Sequence, residues 1–195
     1  MKSPTFESTH GITPSANSQW LITYYFIRAA VSFVWVGAAF TVGSTLPIAA
    51  AVLLIFYPTW DAAANVLDAH RNGGLKRNRT QSLNALLSLV TTIAIAVALS
   101  KSMNTMLVVF GGWAVVSGLL QLATAVRRWK VYGAQWVMIL SGAQSALAGG
   151  FFIKQSSLPT VHSIAEIAPY AAFGAFYFLI SAVWLVVSEA RRRKG

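Results

Sequence analysis

Residues 56–74 read FYPTWDAAANVLDAHRNGG, an apolar run that passes without a visible loop into two aspartates, an asparagine, a histidine and an arginine. Whether this stretch finishes a helix or begins a loop decides the number of membrane spans. The purely apolar part stops at Tyr57 and is too short to cross a ~30 Å hydrocarbon layer, which takes about 20 helical residues. Carried on through Asp68, the segment 46–68 reaches spanning length. The alternative is a half-helix broken at Pro58, whose nitrogen cannot donate to the carbonyl of Leu54, so a kink is expected there.

The rest of the chain argues for the longer reading. Of 195 residues, 56% are hydrophobic and 10% charged, against ~25% charged in an ordinary soluble domain. Five more apolar segments of about spanning length lie near 19–42, 82–100, 104–126, 135–153 and 167–188. The expected fold is therefore all-α, a six-helix transmembrane bundle over 19–190 built from three antiparallel helical hairpins. Residues 1–18 are polar and carry two prolines, which predicts a disordered cytoplasmic tail; Glu7 and the length of this polar region argue against a cleaved signal peptide. Residues 191–195 form a basic tail. The loop KQSSLPTVHSIAE, with Pro159 and its serines marking turns, is expected to be ordered only in part.

The net charge of +10 is not spread evenly. Arg71, Lys76, Arg77 and Arg79 form one cluster, Arg127, Arg128 and Lys130 a second, and Arg191, Arg192, Arg193 and Lys194 a third. Together with Lys2 these put twelve basic residues on one side of the membrane, against Lys101 and Lys154 on the other. The positive-inside rule then places both termini in the cytoplasm of a bacterial inner membrane. No basic domain with interleaved aromatics exists, so nucleic acid is not the partner; the lipid bilayer is. Self-association and any small-molecule ligand stay open. Cysteine is absent, which removes disulfide and thiol chemistry. Trp20, Tyr24, Tyr25, Trp129, Tyr132 and Trp136 fall near the cytoplasmic boundary and read as an interfacial belt.

The even-numbered helices repeat one another. Tyr57, Trp113 and Tyr177 correspond, as do Asp61, Ser117 and Ser181, then Asp68, Thr124 and Ser188, and finally Arg71, Arg127 and Arg191. A fainter match aligns Arg28 with Asn84, and Ser32 with Ser88 and Ser141. With this repeat, small-residue helices, the ending GGWAVVSGLLQLATAVRR and the following WVMILSGAQSALAGG, residues 20 to 192 resemble the HdeD-like short-repeat bacterial membrane proteins. The resemblance implies a six-helix inner-membrane protein associated with acid-stress resistance and of unknown molecular function. It supplies no catalytic residue, and Asp61, Asn65 and Asp68 depart from the family's plainer pattern.

Small residues four apart mark helix packing in lipid. Gly142, Ala146 and Gly150 form one such row on the fifth helix and Ser141, Ser145 and Gly149 the next, with Gly111, Gly112, Ala114 and Gly118 as the expected partner surface.

Asp61, Asn65 and Asp68 share one helix stripe, and His70 points the other way. On the first helix Tyr24, Arg28, Ser32 and Trp35 share another. Arg28 lies about 14 Å and Asp61 about 15 Å from the cytoplasmic boundary, at 1.5 Å per residue. The two are expected to meet near mid-membrane, because a lone charge there costs roughly 2.5–3.5 kcal/mol on insertion scales. Three roles follow for this intramembrane polar site. It is a buried ion pair that locks a hairpin; or a site facing a cytoplasm-open cavity, where Arg28 holds an anionic group and Asp61 exchanges a proton; or, as an enzyme on a phosphorylated lipid precursor, a divalent-metal site at Asp61 and Asp68 with His70. The residue types assign no catalytic residue, bound metal or cofactor, and an enzyme is the less favoured class.

Overall fold

The computed structural model describes residues 14–128 and 135–192. It is helical almost throughout: α1 (Pro14–Phe40), the single turn α2 (Val42–Thr45), α3 (Pro47–Arg71), α4 (Arg79–Leu99), α5 (Met103–Arg128), α6 (Gln135–Gln155), a short 3-10 turn (Ile164–Glu166) and α7 (Ala168–Arg192). Six of these segments are long and apolar enough to cross a membrane, α1 and α2 together making the first. The span begins at Gln19, and its helix extends back to Pro14; residues 1–13, Trp129, Lys130, Tyr132, Arg193 and Lys194 lie outside the described residues.

Local sequence explains the breaks. Leu46, the residue before Pro47, is extended at φ −118°, ψ 110°, as the clash with a following proline ring requires, and Pro47 opens α3 where its missing N–H is no loss. Pro58 does not divide α3, which runs continuously to Arg71 and so completes the second span. That helix ends at Asn72, where Gly73 and Gly74 take φ of 95° and 92°, a conformation glycine adopts without the Cβ penalty. Asn78 then gathers the turn by donating to the carbonyls of Ala69, Asn72 and Gly74.

The helices do not pack chiefly as three hairpins. The most extensive faces join α5 to α6, α1 to α7 and α3 to α4, while α1 touches α3 and α6 touches α7 far less. Each extensive pair unites an even-numbered span with the next odd one, and the last span closes on the first. The repeat in the sequence therefore appears as a ring of three helix pairs. Within the pair of α5 and α6 the backbones nearly touch: a Cβ on Gly118 would stand 2.6 Å from Ala146 N, and one on Gly149 2.7 Å from Val115 N. Ser145 donates to the carbonyl of Ala114 at 3.0 Å across the same seam.

Two positions in the expected packing rows are corrected. Around Gly150 and around Gly112 nothing lies within 4 Å of where a Cβ would be, and Gly150 is exposed. The seam follows Gly142 and Gly149, seven apart, because seven residues return to almost the same helix face, whereas a step of eight swings away by about 80°.

The apolar core occupies the half of the bundle remote from the basic loops. Trp35, Leu54, Ile95, Met106, Leu107, Phe110, Phe152, Ile164 and Ile167 meet there. The loop before α7 folds inward to join them: Ser163 and Glu166 form a reciprocal capping box, buried His162 pairs with Glu166 at 2.9 Å, and Asn104 donates to the carbonyl of Ser156 at 2.9 Å. Outward-facing Val34, Ile48 and Leu147 remain 73%, 81% and 76% exposed, which suits lipid contact.

Candidate intramembrane polar site

Arg28 of α1 and Asp61 of α3 form an ion pair, with the guanidinium Nη2 against Oδ1. Both side chains are largely withdrawn from the surface, at 12% and 20% exposure. The depth argument explains the meeting. Two antiparallel helices joined by a short turn bring equal depths together, and a charge in hydrocarbon is least costly beside its opposite.

Each partner is held by further contacts. Arg28 donates from Nη1 to the Tyr24 hydroxyl at 2.9 Å, and its guanidinium carbon lies 4.2 Å from the ring centre of Phe178 on α7. Tyr24 is buried and donates to the carbonyl of Ala64 at 3.3 Å, so it belongs to this site and not to the interfacial belt. The second carboxylate oxygen of Asp61 accepts from Asn65 Nδ2 at 3.0 Å and from Ser88 Oγ on α4 at 2.8 Å. Ser88 in turn accepts from the Trp113 indole N–H of α5 at 3.1 Å. A chain of donors thus runs from α5 through α4 to a carboxylate on α3 that is neutralised from α1.

Asp68 belongs to a separate arrangement. Its oxygens accept from Asn72 Nδ2 at 2.9 Å and Gln81 Nε2 at 3.3 Å, and no contact joins it to Asp61. Seven residues along a helix put the two carboxylates roughly 10 Å apart, too far for both to reach one ion that needs oxygens at about 2.1 Å. His70 is exposed. The two carboxylates of the alternative, enzymatic reading therefore do not converge, and among the described residues no three His, Asp or Glu side chains gather.

The ion pair lines a cavity of about 170 Å³ to which all six spans contribute. Towards the basic loops its wall is polar: Asn65, Asn84, Ser117, Gln121 and Ser141. Towards the core it meets Tyr57, Trp113 and Tyr170, which join Trp35, Phe110 and Phe152 in a continuous aromatic cluster with ring centres 4.8 to 6.2 Å apart. Arg28 Nε, Trp60 Nε1 and Asn84 Oδ1 are buried without a protein partner, and all three residues line this cavity. Buried polar atoms of this kind are ordinarily met by water or solute.

Sequence reasoning singled out Arg28, Asp61 and Asn65 but gave no site role to Ser88, Asn84, Trp113 or Phe178. The repeat held the signal for three of these, since Asn84 is the counterpart of Arg28, Ser88 of Ser32, and Trp113 of Tyr57. The counterpart of Trp113 in the last span, Tyr177, likewise donates to the preceding span, there to Gln144 Oε1 at 2.8 Å. Nothing in the sequence pointed to Phe178, which reaches Arg28 only because the ring closes.

Comparison with known families bears on these same helices. Residues 83–154, from the third span through the fifth, match a family described as a short repeat of unknown function, DUF308. No curated protein and no solved structure matches the chain.

Proposed function

We propose that this membrane chain, whose residues 83–154 match the DUF308 short repeat, is an HdeD-like protein and that its cavity receives a small solute from the cytoplasmic side. In this reading the protein sits in a bacterial inner membrane with both termini in the cytoplasm, and contributes to stress tolerance, acid stress included, through that solute. The asymmetry of twelve basic residues against two supports the orientation.

The observation that carries the reading is that the ion pair borders a polar-walled cavity, three of whose lining residues, Arg28, Trp60 and Asn84, carry a buried donor or acceptor without a protein partner. A pair serving only to lock helices would be enclosed and saturated. The aromatic cluster closes the far end, so the cavity is a binding pocket first, and passage across the membrane requires those rings to part.

The test is solute and proton permeability of proteoliposomes containing the wild type or Asp61→Asn, with glycerol followed by light scattering and protons by an internal dye, at acidic and neutral pH. A clear difference between the two proteins, at equal amounts of folded protein, supports the reading. Equal leakage removes transport, and a severe loss of folded Asp61→Asn protein would favour a purely structural lock.

A further inference from the structure

Resting on the solute-site reading above, we infer that the cavity selects uncharged solutes that both donate and accept hydrogen bonds, such as small amides or polyols, and rejects anions and cations of the same size. Arg28 and Asp61 are the only charged residues among those lining it, and they neutralise each other within the wall. An anion entering this space would have to compete with Asp61 for the guanidinium. That cation already gives one N–H group to Tyr24 and another to Asp61, and a face to Phe178. A cation would have to compete with Arg28 for a carboxylate that also accepts from Ser88 and Asn65. Either ion would sit uncompensated at mid-membrane depth.

The unpartnered atoms describe the complementary ligand. Arg28 Nε and Trp60 Nε1 are donors, and Asn84 Oδ1 is an acceptor. A primary amide offers both kinds of partner that these groups lack, a carbonyl acceptor and N–H donors. Once the solute is bound, these buried groups no longer lack partners, and that is a stronger discriminator than apolar contact.

Acetamide, acetate and ethylammonium have nearly the same size and differ in charge. Saturation-transfer NMR on the detergent-solubilised protein should show saturable binding of acetamide, with acetate and ethylammonium at least about tenfold weaker, from the insertion penalty for an unpaired charge. Asp61→Asn leaves Arg28 uncompensated, so its preference should reverse to acetate. Should that variant fail to fold, Asn84→Leu, which leaves the ion pair intact, should weaken acetamide several-fold while acetate stays weak. Acetate or ethylammonium binding the wild type as well as acetamide does would overturn the neutral class and leave the site standing. Absence of saturable transfer to all three probes from folded wild-type protein would overturn the solute-site reading itself.

Discussion

The seam between α5 and α6 and the region around Arg28 and Asp61 hold helices together in lipid by opposite means. At the seam glycines remove the side chains, so that backbone meets backbone and no space is left. Around the ion pair the helices stand farther apart, and long side chains span the gap: Arg28 to Asp61, Tyr24 to the Ala64 carbonyl, and Trp35 to the Leu53 carbonyl at 2.7 Å. Because lipid offers helices no hydrophobic reason to associate, close packing and polar bonding are the available forces. The first seals the bundle; the second tolerates a cavity. The cavity of this protein accordingly lies at the polar-linked interfaces, beside the ion pair.

The contrast can be broken most severely on its polar side. Arg28→Met leaves Asp61 buried without its counter-charge, and stability in detergent should fall by about 3–5 kcal/mol. Arg28→Met combined with Asp61→Leu should recover most of that loss, since two apolar groups need no partner. A denaturation series comparing wild type, the two single variants and the double variant gives the coupling directly. Additive losses would mean that the ion pair is not what joins α1 to α3.

On the packing side, Gly149→Ala drives a methyl group against Val115 N and the backbone of Gly111, atoms that cannot step aside. About 1–3 kcal/mol of destabilisation is expected from overpacking, read as a lowered thermal midpoint. If the midpoint is unchanged, the two backbones are not in contact and the sealed seam does not exist.

A smaller effect is expected where the two kinds of interface meet. Trp113→Phe retains an aromatic ring beside Tyr57 but deletes the N–H that Ser88 accepts. The loss should be about 1 kcal/mol, the usual net value of one such bond, and it should shrink when Asp61 is already Asn, because the donor chain then no longer ends on a charge. An identical loss in both backgrounds would separate the indole from the carboxylate.

These two interfaces were not equally legible in the chain. The Arg28–Asp61 pair could be read because two charges in otherwise apolar helices carry a large penalty and because a hairpin fixes relative depth; spacing did the rest. The ring of helix pairs could not. Its closing contact between α1 and α7 joins the ends of the sequence, and no local pattern in either helix names the other. The glycine seam lay in between. The right helices stood out, yet a four-residue rule put Gly142 in a row with Gly150 and Gly149 in a separate one, whereas the contact joins Gly142 to its seven-residue partner Gly149. Tyr24 fitted both the interfacial belt and the Arg28 stripe for a related reason: an aromatic residue near the boundary looks the same in a headgroup belt as in a buried network until its hydroxyl is seen to have two partners. The inward fold of the loop before α7 was equally hidden, since its anchors, His162 and Ile164, are ordinary residues in a polar segment.

The neighbouring position provides the mildest and most discriminating test. Gly150 stands next to Gly149 in the same helix with the same residue type, and differs only in facing away from α5. Alanine there meets nothing and restricts an exposed helical backbone, so Gly150→Ala should be neutral or stabilising by up to about 1 kcal/mol. The two variants share the gain in helix propensity, which cancels in their difference, so the gap between their midpoints isolates the contact across the seam. Equal shifts in both would mean that alanine acts at Gly149 through helix propensity alone; a lower midpoint only for Gly149→Ala makes the missing side chain, and not the flexible backbone, the reason glycine stands there.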